Sequence, residues 1–350
     1  MDWIMPAETS AQKRVWMAFP HGGYTLGDTA AAAHAARSTW ANVAHAVAGF
    51  APVSMVVDPA DTQIAARYLD ERIEIRTAEL NDAWMRDIGP TFVKNAAGEL
   101  AAVDWVFNGW GAQDWAAWDK DEKIGAAVAE WAGAPRIASA LVNEGGAIHV
   151  DGEGTVLATE SVQLDPGRNP GTTREEVEAE FARTLGATKV HWLPRGLARD
   201  SEEFGTRGHV DIVATFPSPG TVLVHSQQDP GHPDHAICRE LIATFRGATD
   251  ARGREFNVIE VPAPTVLRDA EGFVDYSYIN HLAVNGGVVA CTFDDPNDEA
   301  ALAILAAAYP GREVVGVDAR ELYARGGGIH CITQQEPVAG VPRPARPPVG

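Results

Sequence analysis

The chain has 350 residues, 45% of them apolar and 22% charged, with a formal net charge of −20 and a pI near 4.9. Such a composition is that of a globular protein with a large core, and its acidity excludes nucleic acid and anionic membrane surfaces as natural partners. The charge would draw a small cationic substrate, although solubility alone accounts for it equally well.

No run reaches the ~20 apolar residues of a membrane-spanning helix. The start, Met1-Asp-Trp-Ile-Met-Pro6, lacks a basic segment followed by an apolar one, so a cytoplasmic protein without a signal peptide is expected. In chain order, the first predicted elements are a strand at Val15–Phe19, a helix at Thr29–Phe50, a strand at Val53–Val57, a helix at Asp61–Leu69 and a strand at Arg72–Arg76. A first hairpin follows, Pro90–Lys94 and Leu100–Val106 across the turn Asn95-Ala-Ala-Gly98, and then a helix near 119–132. The second hairpin is Ala147–Val150 and Thr155–Thr159, followed by a helix near 173–186 and a strand at Lys189–Trp192. The third is His209–Phe216 and Thr221–His225, followed by a helix near 234–246 and a strand at Asn257–Glu260. The fourth is Tyr278–Val284 and Gly287–Thr292, followed by a helix near 297–308 and a strand at Glu313–Gly316.

Hairpins that begin near 90, 147, 209 and 278 recur roughly every 60 residues, a spacing that signals an array or propeller. A fifth unit assembles from both chain ends if a strand at Ile329–Thr333 pairs with Val15–Phe19. The expected fold is therefore α/β, with five similar ββαβ units forming one domain over residues 1–337. Residues 338–350 read as a proline-rich extended tail.

Polar residues out of keeping with their apolar surroundings fall at one point in each unit. Asp87 precedes the first hairpin, in Trp84-Met-Arg-Asp87-Ile-Gly-Pro90, and Glu144 precedes the second, in Asn143-Glu-Gly-Gly146. His209 and Asp211 begin the third, and two residues apart on a strand they would share a face. Asn280 lies in the first strand of the fourth, and Cys331 opens the fifth after Gly326-Gly-Gly-Ile-His330. Arranged in a ring, equivalent positions face the axis and meet in one cavity.

That set suits one reaction. A guanidinium is planar and rich in N–H donors, so two carboxylates can grip it through charge-assisted hydrogen bonds. Its carbon is a weak electrophile, which calls for a thiolate. An imidazole can protonate departing ammonia and then deprotonate water. Neither a metal nor an organic cofactor is required.

Trp-Met-Arg-Asp-Ile-Gly-Pro-Thr at 84–91, Glu-Gly-Gly-Ala-Ile-His at 144–149, Gly-His-Val-Asp at 208–211 and Gly-Gly-Gly-Ile-His-Cys-Ile-Thr-Gln-Gln at 326–335 together resemble the agmatine deiminase family. Met5-Pro-Ala-Glu8 and Trp16-Met-Ala-Phe-Pro20 resemble that family's N-terminal segment, so the likeness spans about residues 5–337. The resemblance implies the fivefold pentein-type propeller of the guanidine-modifying superfamily, hydrolysis of agmatine to N-carbamoylputrescine and ammonia, and a homodimer or larger assembly. It implies Cys331 as nucleophile, His209 as general acid and base, Asp87 and Asp211 as guanidinium ligands, Glu144 in charge balance, and Trp84 along the substrate channel. Arg207 and Ile212 depart from the residues expected beside Gly-His-Val-Asp. A cation at Arg207 near the channel mouth would favour a substrate bearing a carboxylate, unless Arg207 turns away to pair with an acid.

Other polar groups have structural readings. Cys238 and Cys291 are buried core thiols, and His330 alternates away from Cys331. His232 and His235 flank a helix start, where capping explains them better than a metal. Asp151-Gly-Glu-Gly154 is a hairpin turn, and Asp87 and Glu144 could each be turn residues before glycine. Asn108–Trp118, rich in glycine and tryptophan, is a candidate lid. Two other functions fit less well: deimination of arginine in peptides, and a non-catalytic amidine- or polyamine-binding protein, which would not need Cys331.

Overall fold

The computed structural model describes residues 3–340 as a mixed α/β fold built on five small sheets. The strands are β1 (Gln12–Ala18), β2 (Val53–Val57), β3 (Ile73–Thr77), β4 (Thr91–Lys94), β5 (Leu100–Val106), β6 (Arg136–Val142), β7 (Ile148–Val150) and β8 (Thr155–Thr159). They continue with β9 (Lys189–Leu193), β10 (Ala214–Ser218), β11 (Thr221–Ser226), β12 (Asn257–Pro262), β13 (Leu282–Val284), β14 (Gly287–Thr292), β15 (Glu313–Asp318) and β16 (Gln334–Pro337).

Four sheets share one topology: β4-β5-β6, β7-β8-β9, β10-β11-β12 and β13-β14-β15. In each, the first two strands pair antiparallel and the third joins in parallel after a helix. The fifth sheet, β16-β1-β2-β3, repeats the scheme with strands from both chain ends and one strand more. The parallel connections demand a crossover. The helices that supply it are Ile124–Ala132, Arg174–Leu185, Pro233–Phe245 and Asp298–Ala308, with Ala30–Ala48 doing so between β1 and β2.

Local chemistry sets these boundaries. Thr173 and Glu176 close a capping box at one helix start, a feature worth about 1 kcal/mol. Pro233 occupies the first turn of the next helix, where its missing N–H costs nothing. Within each sheet the first strand is buried almost throughout, whereas the third alternates toward solvent, as in the exposed-to-intermediate pattern of β12 and β15. The first strands therefore line the interior, and β16 lies against β4 as β7 lies against β10.

Several expectations change in detail. The fifth unit's first strand is Gln334–Pro337, not Ile329–Thr333; residues 330–333 form a turn in which Thr333 N–H donates to His330 O at 3.1 Å. His209–Phe216 is not one strand, because Val210–Ile212 is a 3-10 turn and β10 begins at Ala214. Likewise only Leu282–Val284 of the expected 278–284 strand is extended, which leaves Asn280 in a turn. The helix expected at Asp61–Leu69 is a 3-10 turn, Pro59–Asp61, and a helical turn, Thr62–Ala65. Strand β6 was not anticipated. Most of the expected 338–350 tail, from 341 onward, lies outside the described residues.

Candidate active site

A turn stands just ahead of each sheet's first strand, and each carries the polar residue noted in the sequence. Asp87 lies in the helical turn Met85–Ile88 before β4, and Glu144 caps the 3-10 turn Gly145–Ala147 before β7. His209 stands at the start of the 3-10 turn Val210–Ile212 before β10 and Asp211 lies within it, Asn280 precedes β13, and Cys331 precedes β16. A turn can aim consecutive side chains to one side, whereas a strand would send every second one away. His209 and Asp211 thus converge by a different local geometry from the shared strand face expected.

Cys331 is 6% exposed. Its Sγ lies 3.5 Å from Asp211 Oδ2 and receives Asn280 Nδ2–H at 3.2 Å. The Asn280 Oδ1 accepts from the backbone N–H groups of His330 at 2.9 Å and Cys331 at 3.4 Å, which fixes the turn. Gly327 is forced here by crowding: a Cβ would come within 2.7 Å of the Trp84 ring and 3.1 Å of the Cys331 Sγ. Burial first, then the charges of Asp211 and Asp87, raise the thiol pKa well above its ordinary value.

His209 lies between carboxylates, with Nε2 3.4 Å from Glu144 Oε2 and Nδ1 3.9 Å from Asp87 Oδ2. Burial opposes the imidazolium, but Asp87, Glu144 and Asp211 outweigh it and lift the pKa to about 9. Asp87 is pushed up to about 6, chiefly by burial, against the pull of His209. Its oxygens accept from Gly146 N–H at 3.0 Å and from Trp110 Nε1–H at 2.8 Å. Gly146 has no room for a side chain, since a Cβ would stand 2.5 Å from His209 Nδ1.

Arg168, not foreseen as part of the site, is the partner of Glu144. Its Nε donates to both Glu144 oxygens at 2.9 and 3.1 Å, and its other nitrogens reach Asp165 at 3.0 Å and Thr206 O at 2.7 Å. Burial alone would raise the Glu144 pKa, yet Arg168 and His209 hold it below the usual range. Glu144 is therefore ionised, and the wholly buried pair needs all these bonds to offset its desolvation.

Behind Asp211 runs a second array. His330 joins Asp211 Oδ2 at 2.7 Å to Glu8 Oε2 at 2.8 Å. Arg86 donates to His330 O at 3.2 Å and to Gln335 at 2.8 Å. Despite burial, His330 holds the Asp211 pKa below the ordinary value. The other Asp211 oxygen, Oδ1, and His209 Nδ1 are buried without a hydrogen-bond partner among the described residues. Glu8, His149 and His330 are spaced within 4.8 Å as a metal cluster would be. Yet both His330 nitrogens are taken by carboxylates, and His149 is engaged with Thr215 at 2.8 Å and Phe216 N at 3.3 Å. The ordinary reading of His232 holds: it caps its helix by accepting from Asp234 N–H at 3.2 Å.

Cys331, Asp87, Trp84, Asp82, Trp110, Trp115, Tyr24, Phe204, Thr206, Arg325 and Gly326 line one open cavity. Trp84 thus lines the same cavity as Cys331. Arg207 does not line it; its guanidinium reaches Ser201 O at 3.5 Å. From the segment 108–118, Trp110 and Trp115 form part of the cavity wall, stacked 5.4 Å apart. Trp110 and Ala112 take left-handed backbone angles, φ 56° and 55°.

Known proteins share this layout. The profile of the Porphyromonas-type peptidyl-arginine deiminase family matches residues 4–337. A Streptomyces coelicolor protein carrying the provisional name of agmatine deiminase is 58% identical over 338 residues, covering 96% of this chain and 99% of its own. The agmatine deiminase of Pseudomonas putida is 41% identical over 360 residues, covering 95% of each chain. Among solved structures, the Enterococcus faecalis agmatine deiminase, described as catalysing its reaction, superposes with a TM-score of 0.91 at 34% identity over 97% of each chain.

Proposed function

The chain belongs to the agmatine deiminase family, and from that premise we propose that it hydrolyses agmatine to N-carbamoylputrescine and ammonia through a covalent thiouronium on Cys331. One observation carries the reading. The Cys331 thiol shares a cavity with Asp87 and lies against Asp211, while an imidazolium with a pKa of about 9 is held between Asp87 and Glu144.

The chemistry follows from these positions. The guanidinium binds with its N–H groups on Asp87 and on the unpartnered Asp211 Oδ1. Its charge cancels the carboxylate repulsion that keeps Cys331 protonated, and the thiol loses its proton to solvent. Sγ then bonds to the guanidino carbon, and His209 gives its proton to the departing amino group, which leaves as ammonia. Neutral His209 takes a proton from water as the water oxygen attacks the same carbon. The C–S bond breaks with its electrons returning to sulfur, the ureido product sheds its remaining proton, and the thiolate regains one. Glu144, held ionised by Arg168, keeps His209 charged for the first transfer.

The five sheets of one topology, with buried first strands and a sheet made from both chain ends, support a ring-closed fivefold propeller as a single domain. The narrow, tryptophan-walled cavity suits a small guanidine better than a peptide. Arg207 lies outside the lining, and Arg325 within it is committed to Thr25 O, Ala32 O and Glu321, so neither favours a substrate carrying a carboxylate.

The test is ammonia and ureido product formation from agmatine, arginine, guanidinobutyrate and a blocked arginine peptide. Agmatine is expected to be preferred, with Cys331→Ala at least about 10⁴-fold slower. No turnover of any guanidine would end the enzymatic reading, and turnover surviving Cys331→Ala would end the mechanism.

A further inference from the structure

To receive a guanidinium, Asp211 must be ionised and must keep one oxygen free. His330 Nδ1 takes Oδ2 at 2.7 Å, which leaves Oδ1 without a partner among the described residues. The other ring nitrogen, Nε2, meets Glu8 Oε2 at 2.8 Å. Ionised carboxylates only accept hydrogen bonds, so a ring held between two of them carries a proton on each nitrogen. Burial and Arg86 oppose that imidazolium, yet Glu8 and Asp211 outweigh them and raise the His330 pKa. Burial likewise opposes the Glu8 anion, but His330 and then Arg86 hold its pKa well below the usual carboxylate range.

Glu8 is itself held fast. Its Oε1 accepts from Ala283 N–H of β13 at 2.7 Å, and Gln12 Nε2 donates to Glu8 O at 2.7 Å and to Ala283 O at 2.8 Å. Glu8, His330 and Asp211 are all buried, so the chain they form carries a large desolvation cost. Fastening the N-terminal segment does not require that charge. Gln12 N–H donates to Asn285 Oδ1 at 2.9 Å and Asn285 Nδ2 donates to Gln12 O at 2.6 Å, so neutral bonds already tie the segment to the turn between β13 and β14. The charged chain ends instead on Asp211, whose Oδ2 lies 3.5 Å from the Cys331 Sγ.

We propose that Glu8 is a positioning residue for the reaction: through His330 it fixes one Asp211 oxygen and the charge of that carboxylate, so that the other oxygen meets the guanidinium. This rests on the guanidine-hydrolysing reading above and adds to it a residue from the opposite end of the chain. With an uncharged side chain in place of Glu8, His330 loses its Nε2 proton to solvent, and its bond to Asp211 keeps a neutral donor only. Asp211 then stays buried with its main support weakened, and its pKa rises. Of the other groups facing Asp211, His209 and Arg86 favour the anion and Asp87 opposes it, while burial keeps Cys331, Cys291 and Tyr323 protonated. Around Glu8, burial keeps His149 and His281 neutral, with pKa values of about 3 and about 4, and keeps Tyr309 protonated.

The test is the ratio of kcat/KM for agmatine between Glu8→Gln and the unsubstituted protein, followed from pH 8 to pH 5. Glu8→Gln keeps the side chain's shape and its acceptor for Ala283 N–H, and titrations common to both proteins, those of Asp87 and His209, cancel in the ratio. The variant is expected to be about 10- to 100-fold less efficient at pH 8, the scale of one hydrogen bond to a charged group. Because Asp211 takes up its proton at a higher pH in the variant, the deficit should grow by about tenfold further as pH falls to 5. His330→Gln, which leaves Glu8 on Ala283, should show the same trend. Folding of each variant is checked by circular dichroism. Full activity, or a deficit that stays constant with pH in the folded variants, would overturn the positioning role, and failure of both variants to fold would assign the pair to the fold and overturn it as well. Failure of the unsubstituted protein to release ammonia from agmatine would instead overturn the guanidine-hydrolysing reading on which the role rests.

Discussion

In the resting site the Cys331 thiol and the His209 imidazole both keep their protons, and the same carboxylates are responsible. Burial, Asp211 and Asp87 raise the thiol pKa, while Asp87, Glu144 and Asp211 overcome burial to raise that of His209 to about 9. A cationic substrate that pairs with Asp87 and Asp211 removes their repulsion of a thiolate and also part of their support for the imidazolium, which leaves Glu144 to hold the proton on His209. Raising the pKa of His209 above its ordinary 6.5 means that folding favours the protonated form. Its stabilising contribution is thus complete below about 6.5 and is lost as pH rises through about 9. The shift corresponds to on the order of 3 kcal/mol. Replacing His209 by Gln should therefore destabilise the protein most near pH 6 and least above pH 9.5, as read from denaturant unfolding of both proteins across that range. A stability difference that is flat with pH would show that His209 is not held as an imidazolium.

At the scale of elements, the decisive units are the short turns ahead of β4, β7, β10, β13 and β16, not the strands themselves. These turns pack so closely that glycine is required where two of them meet. A methyl group at Gly146 would lie 2.5 Å from His209 Nδ1 and 2.9 Å from Asp87 Oδ1. Gly146→Ala should accordingly cut kcat/KM by about 100-fold, because displacing reacting groups by an ångström costs that much, while the circular dichroism spectrum is retained. Unchanged activity would show that the Asp87–His209 spacing is not critical. The turns were legible in sequence as Asp87, Glu144, His209, Asp211, Asn280 and Cys331, polar residues beside glycines at a recurring position. Their conformation was not, because alternating apolar patterns extend past strand ends and cannot tell a final strand residue from a turn. That is why Ile329–Thr333 and His209–Phe216 read as strands.

For the molecule as a whole, the two chain ends form one unit. Glu8 reaches His330 across 322 positions, and Trp16 donates to the buried Glu336 at 2.9 Å. Residues placed by such long-range pairing escape a reading of local motifs. Glu8, Arg168 and Asp82 each look locally like ordinary surface charges, and only the fold buries them beside the site. The repeat was legible because the period near 60 survives in the apolar runs, and the closing strands were legible after the intervening helices, with β6 the omission. The central claim is that these five units bring one thiol to the guanidino carbon. The most direct measurement is the intact mass of the protein quenched in acid within the first turnover of agmatine, followed by peptide mapping. An adduct equal to agmatine less ammonia, located on Cys331 and absent from Cys331→Ala, is the predicted result. Product formation with no adduct on Cys331, or with one on another residue, would contradict the account.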